Sequence, residues 1–257
     1  MSLLEIDNVS LSFGGIRAID GVSLAVEAGE VFTIVGPNGA GKSSLFNLIS
    51  RFYPPDAGSM CFDGLDLTGR TAHEIVGLGI ARTFQNIELF DHATVLDNLL
   101  IGRHSRCSTH WLSDLLFLPR VRRAEREHRR AVEEVIDFLE LAAYRDRMIQ
   151  GLPYGVRKVV EIGKALAAGP RLLLLDEPAS GLSVEETDNM AWWIEDMQKD
   201  LGVTIVMVEH DMNLVGRVSD RVLAIAEGRA LALGSPAEIQ SDPTVIRAWL
   251  GDQGPGR

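Results

Sequence analysis

Cysteine is scarce. The 257 residues contain two, Cys61 and Cys107, too few for a disulfide framework. Neither has neighbours that suggest metal ligation or nucleophilic chemistry, so both are expected to be structural, in a reducing cytoplasm. Long apolar runs are missing too: none approaches the roughly 18–20 residues of a membrane span. The opening MSLLEIDNVS lacks the basic start and apolar stretch of a secretory signal. Positive charge is in deficit, with 25 Lys and Arg against 36 Asp and Glu and a net charge of −11. That balance disfavours nucleic acid as a partner, because phosphate backbones attract the opposite sign. The deficit is uneven. From Arg103 to Arg130 eight arginines stand against Asp114, Glu125 and Glu127, the pattern of a solvated helix face. Internal repeats and low-complexity segments are absent as well.

What is present is an α/β pattern. A content of 46% hydrophobic and 24% charged residues is that of an ordinary globular chain, long enough for one large domain or one with an inserted lobe. Early on, Val9, Leu11 and Phe13 share one strand face and Val22, Leu24 and Val26 share another. EVFTIVG then reads as a buried strand, a helix is expected from about Gly41 to Arg51, and SMCFDG reads as a further strand. Between about Asn86 and Gln150 helical spacing takes over, as in Val132, Val135, Ile136 and Leu139. After Arg171 the alternation returns through RLLLLD, a helix from about Val184, VTIVMVEH, a helix from Met212, and RVLAIAEGRALALG. The expectation is an α/β core over residues 1–85 and 151–234, a helical subdomain inserted at 86–150, and a helical extension with a frayed tail over 235–257. Ser183 with Glu186, and Ser235 with Pro236 and Glu238, read as capped helix starts.

GPNGAGKSS carries the clearest chemistry. Gly36, Pro37, Asn38, Gly39, Ala40, Gly41, Lys42, Ser43 and Ser44 match G-x-x-x-x-G-K-[ST] between an expected strand and an expected helix, the context that motif needs. Successive backbone N–H groups would curve around a phosphate chain, helped by the helix N-terminus. Lys42 would meet the outer phosphates, Ser43 would ligate Mg²⁺, and Ser44 would assist at the α-phosphate. In RLLLLDEP four leucines bury a strand, so Asp176 emerges at its C-terminal end, where ligands sit in α/β sheets. Asp176 would complete the metal shell, and Glu177 could polarise an attacking water.

In order and content these landmarks resemble the nucleotide-binding subunits of ATP-binding-cassette transporters over nearly the whole chain. The resemblance implies an α/β P-loop (RecA-like) NTPase core with an antiparallel β portion and an inserted helical subdomain, using ATP and Mg²⁺. It puts Phe13 where an aromatic ring stacks on adenine, although the same residue can simply continue the apolar face of Val9 and Leu11. Gln85, in RTFQNIELF, matches a metal-shell glutamine that links the two lobes, and His210, in VEHDM, matches a contact to the γ-phosphate. LPYGV occupies the signature position: Tyr154, Gly155 and Val156 open a helix whose amides would face ATP bound by another subunit. Two departures stand out. Pro153 and Tyr154 occupy the places of a serine and a glycine, removing one neutral hydrogen bond worth about 0.5–1.5 kcal/mol. Ser183 replaces an acidic or amide residue in the SGLS loop, which leaves inter-site communication open.

Within that family, ARTFQNIELFDHATVLDNLLIGRH, the insert near Trp111 to Arg130, the LPYG form and the closing SDPTVIRAWLG are similar to the ATPases of branched-chain amino-acid uptake systems (the LivG type). That likeness implies membrane permease subunits, a second ATPase subunit of the same or a different sequence, an external solute-binding protein, and a place on the cytoplasmic face of the membrane. Ile87, Leu89 and Phe90 then either pack the lobe or line a groove for a short permease helix. A small-molecule kinase or GTPase would not need the signature and His210, and N-K-x-D is missing. An ATP-binding adaptor would not need Glu177 and His210. A lipid-exporting ATPase shares the layout and stays open.

Overall fold

The computed structural model describes residues 2–106 and 119–250; Cys107, the insert from Trp111 to Leu118 and the tail from Gly251 lie outside the described residues. The chain divides into two compact units, Met1–Ile75 with Leu174–Arg257, and Val76–Leu173. The first opens with β1 (Ser2–Phe13) and β2 (Ile16–Glu27), antiparallel strands that bury Leu4 and Ile6, then Val9 and Leu11 beyond a register shift, against Val22, Leu24 and Val26. Phe13 departs from the expected face. The register against β2 shifts between Leu11 and Ser12, and the Phe13 ring ends 43% exposed at the hairpin. β3 (Val31–Val35) and α1 (Lys42–Ile49) follow, then β4 (Ala57–Phe62) and β5 (Leu65–Asp66), which complete a sheet of order β2-β1-β4-β5.

After α2 (Ala72–Leu78) and β6 (Ile80–Arg82) the second unit turns helical through α3 (Val95–Gly102), α4 (Pro119–Phe138) and α5 (Tyr154–Ala167), and β7 (Leu172–Asp176) carries the chain back. Leu96 and Leu99 of α3, Val132 and Ile136 of α4, and Val159, Ile162 and Leu166 of α5 form buried stripes at helical spacing. On α4 the exposed pairs Arg123–Glu127 (3.0 Å) and Arg130–Glu134 (3.1 Å) sit four residues apart, so there the basic run is a solvated, ion-paired face. The unit spans 76–173, whereas helical spacing dominates only over 86–150. Packing draws the wider boundary: α5 lies against α3, and the Leu172 N–H donates to the Gly79 carbonyl at 3.0 Å, tying β7 to the approach to β6.

Back in the first unit, α6 (Val184–Lys199), β8 (Thr204–Val208), α7 (Met212–Val218), β9 (Arg221–Ala226), β10 (Arg229–Gly234), α8 (Pro236–Ser241) and α9 (Pro243–Leu250) follow. Ser183 and Ser235 head α6 and α8 with reciprocal capping boxes. β3 runs parallel between β8 and β9, in the order β10-β9-β3-β8-β7. Every residue of β3, β7 and β8 is buried, which explains why VFTIV, LLLLD and TIVMV do not alternate: parallel strands are covered on both faces. Their ends are in line. The Glu209 N–H donates to the Ile34 carbonyl (3.3 Å) and the Glu177 N–H to the Val208 carbonyl (3.0 Å). The segments after β3, β7 and β8 therefore leave the sheet at one edge, its carboxyl edge, where α/β proteins hold ligands.

Candidate active site

The segment after β3 is the cradle. The Ala40 N–H closes it onto the Pro37 carbonyl at 3.2 Å, and two glycines have steric reasons to be there. A Cβ at Gly36 would meet the Ile225 carbonyl oxygen at 2.1 Å, and one at Gly41 would meet the Ala18 carbonyl oxygen at 2.5 Å. Gly41 also caps α1 at φ 104°, in the left-handed region that L side chains resist. With no side-chain cap and no carboxylate in its first turn, α1 presents its leading N–H groups where an anion fits. The Lys42 ammonium bends back over the cradle and donates to the carbonyls of Gly36 (2.7 Å) and Pro37 (2.9 Å). Burial holds its pKa below the ordinary lysine value, while the charges of Glu177 and Asp176 pull the other way. Asp176 ends β7 and Glu177 follows it, at the same sheet edge from which the cradle leaves β3.

Asp176 is the last residue of β7 and is 4% exposed. Glu177 then turns to φ 49°, a left-handed conformation uncommon outside glycine that costs of order 1–3 kcal/mol. The turn is closed by the Ser180 N–H on the Glu177 carbonyl at 3.1 Å. After β8 comes Glu209, fully buried, and then His210, whose side chain is 63% exposed. Phe13 packs edge-to-face on Tyr53, with ring centroids 5.0 Å apart, and keeps an exposed ring. The structure places Phe13, Gly36 to Ser44, Asp176, Glu177 and His210 in the first unit. Gln85, Tyr154, Gly155 and Val156 belong to the second.

In the second unit Pro153 caps α5, and the first intrahelical bond is Arg157 N–H to the Pro153 carbonyl at 3.1 Å. Tyr154, Gly155 and Val156 form the leading turn, with no acidic residue in it. Further along, α5 grips the loop that carries Gln85. Glu161 accepts the Phe84 N–H (3.1 Å), Lys164 donates to the Glu88 carbonyl (2.7 Å), and Arg157 pairs with Asp91 (3.2 Å). Burial raises the Glu161 pKa. The backbone of Phe90 is clasped by buried Asn98, which accepts its N–H at 2.8 Å and donates to its carbonyl at 3.2 Å, yet its ring is 56% exposed. A cavity of about 160 Å³, lined by Arg82, Phe84, Glu88, Glu161 and Lys164 among others, lies within this unit.

The available donors suit Mg²⁺. Among the described residues no group of three or more His, Cys, Asp or Glu side chains is gathered for a metal, whereas one buried carboxylate, Asp176, and the exposed Ser43 offer hard oxygens. Magnesium is commonly held by a carboxylate or two with substrate phosphates and water. Two residues escaped the sequence reading. Tyr53 packs its ring against Phe13, and Glu209 places a buried carboxylate just after β8; the charge closing VTIVMVE was the available signal.

Comparison with known proteins identifies the family. The family described as ABC transporter matches residues 19–180, and the one described as branched-chain amino acid ATP-binding cassette transporter matches residues 231–254. The high-affinity branched-chain amino acid transport ATP-binding protein BraF of Pseudomonas aeruginosa is 38% identical over 97% of this chain and 98% of its own length. LivG of Escherichia coli, of the same description, is 37% identical over 97% and 98%. Among solved structures, a nucleotide-free ATP-binding cassette from an ABC transporter superposes with a TM-score of 0.86 at 32% identity, covering 98% of this chain and 100% of that one. The ADP conformation of MJ1267, an ATP-binding cassette of an ABC transporter, gives 0.85 at 31% with the same coverage. With its cradle, its carboxylate-ended strand and its signature-position helix in place, the chain belongs to the ATP-binding cassettes of ABC transporters, the ATPases that drive transport.

Proposed function

We propose that this chain hydrolyses MgATP between its own cradle and the signature helix of a second cassette, and so powers uptake of branched-chain amino acids or a related small solute. The observation that carries the catalytic part is that the cradle after β3, Asp176 and Glu177 at the end of β7, and His210 after β8 emerge at one sheet edge. Backbone N–H groups from Gly39 to Ser44 and the Lys42 ammonium bind the phosphates, and Phe13 stacks on the adenine. Ser43, Asp176 and Gln85 would hold Mg²⁺, which when bound neutralises charge on the phosphate oxygens. Glu177 accepts a proton from water as its oxygen attacks the γ-phosphorus; the bond to the bridging oxygen breaks and ADP leaves. His210 contacts the γ-phosphate, and the amides of Tyr154, Gly155 and Val156 face the γ-phosphate held by the partner cassette.

The transport part rests on similarity: BraF and LivG are named for branched-chain amino acid transport, and the segment 231–254 matches a family so named. No described helix is long and apolar enough to cross a membrane. The likeness to transport ATP-binding proteins supports membrane contact through permease subunits on the cytoplasmic face, with an external solute-binding protein in the assembled system. The outward Phe90 ring and the neighbouring cavity support a permease docking place there. The test is MgATP turnover and ATP affinity of the purified chain. Glu177→Gln is expected to keep affinity within about threefold and cut kcat on the order of 10²–10³, whereas Lys42→Ala loses binding itself. Normal hydrolysis by Glu177→Gln would remove Glu177 from the role of base.

A further inference from the structure

We infer that Glu209 is a positioning residue for hydrolysis, holding the Glu177 turn and the His210 backbone in one fixed geometry; this rests on the reading of Glu177 as the group that activates water. Glu209 is 0% exposed, and its carboxylate is divided between two loops. Oε1 accepts the Ala179 N–H at 2.9 Å. Oε2 accepts the His210 N–H at 2.9 Å and the Asp211 N–H at 3.4 Å. Ala179 lies inside the turn that the Ser180 N–H closes on the Glu177 carbonyl, and the Glu177 N–H is fixed to Val208, the residue before Glu209. One buried side chain therefore sets the distance between the segment that carries the base and the segment that carries the γ-phosphate contact.

The chemistry explains why the residue is a carboxylate. Burying that charge is unfavourable unless several donors meet it, and here three backbone N–H groups do. Both oxygens must accept at once. A glutamine has one acceptor oxygen and turns an NH₂ donor toward the other loop's N–H, so it satisfies Ala179 or His210 but not both. The imidazole itself lies out of hydrogen-bond reach, with Nδ1 3.8 Å from Oε2, so Glu209 acts through the backbone. It touches no substrate; its effect is placement.

The experiment compares the full-length chain with Glu209→Gln, Glu177→Gln and the double variant. A melting curve establishes folding, a fluorescent ATP analogue reads affinity, and phosphate release reads kcat. Glu209→Gln is expected to hold ATP affinity within about threefold while kcat falls on the order of 10²-fold, the effect of misplacing reacting groups by about an ångström. Added to Glu177→Gln it should cost little more, because both act on one step. A purely structural Glu209 would lower the melting temperature and leave kcat normal below it. That result, or a loss that simply multiplies onto Glu177→Gln, overturns the inference. Normal turnover by Glu177→Gln instead overturns the reading beneath it. Should Glu209→Gln not fold, amide hydrogen exchange on the wild-type chain decides: Ala179 and His210 are expected in one slow class, and fast exchange at either contradicts the link.

Discussion

At the scale of single residues, Glu177 combines its proposed catalytic duty with an unfavourable backbone. Its φ of 49° suits glycine, yet glycine could not activate water, so the position trades stability for chemistry. Comparing two truncations isolates the backbone term, since both lack the carboxylate. Glu177→Gly should be more stable than Glu177→Ala by about 1 kcal/mol, read from denaturant midpoints, and neither should turn over ATP at an appreciable rate. Equal stabilities would mean that the turn relaxes without strain. The need for glycine in GPNGAGKSS was legible in the sequence because a chain turning that tightly from strand to helix leaves no room for a Cβ at Gly36 or Gly41. Glu209 was not, because a carboxylate after an apolar strand has no meaning until Ala179 is seen to approach it across a gap of thirty residues. For Phe13 the sequence left two readings, adenine stacking and an apolar strand face, and the exposed ring speaks against the second. Alternation predicts burial only inside the sheet, and Phe13 is the last residue of β1, at the turn into β2.

Among the elements, the helix starts were the most readable, since caps are local. Ser183 and Ser235 form the boxes that their sequences promise. The box at Thr94 and Asp97, which heads α3, allows a test with a pH signature. The Thr94 side chain and then its backbone hold the Asp97 carboxyl below its ordinary value. A lowered folded value means stability that is present above the unfolded pKa and is lost as pH falls through the folded one. Thr94→Ala should therefore cost about 1 kcal/mol at neutral pH, and its deficit should shrink as pH drops below about 3.8. A deficit independent of pH would assign the loss to the Asp97 N–H bond to the Thr94 hydroxyl rather than to the Asp97 carboxylate. The reach of α5 was not legible. Arg157, Glu161 and Lys164 carry no signal of their own in the sequence, and only the fold shows them gripping the loop from Phe84 to Asp91.

For the whole molecule, the sequence marked two lobes by element type, but packing set the unit boundaries at 75/76 and 173/174. Assembly adds two predictions. Phe90, clasped through its backbone and exposed at its ring, is the proposed permease contact. Phe90→Ala should weaken membrane docking by about tenfold or more, since burying such a ring is worth roughly 1.5–3 kcal/mol, while soluble ATP hydrolysis stays normal; vesicle transport run beside soluble ATPase assays separates the two. The central claim is that ATP is the joint between two cassettes, bound by Lys42 and Ser43 of one and faced by Gly155 of the other. Its most direct measurement is light scattering of Glu177→Gln, alone and mixed with its companion cassette, with and without MgATP. The account predicts monomers without nucleotide and a dimer with MgATP that Lys42→Ala abolishes. A dimer that forms equally well without nucleotide, or none in either mixture, would contradict it.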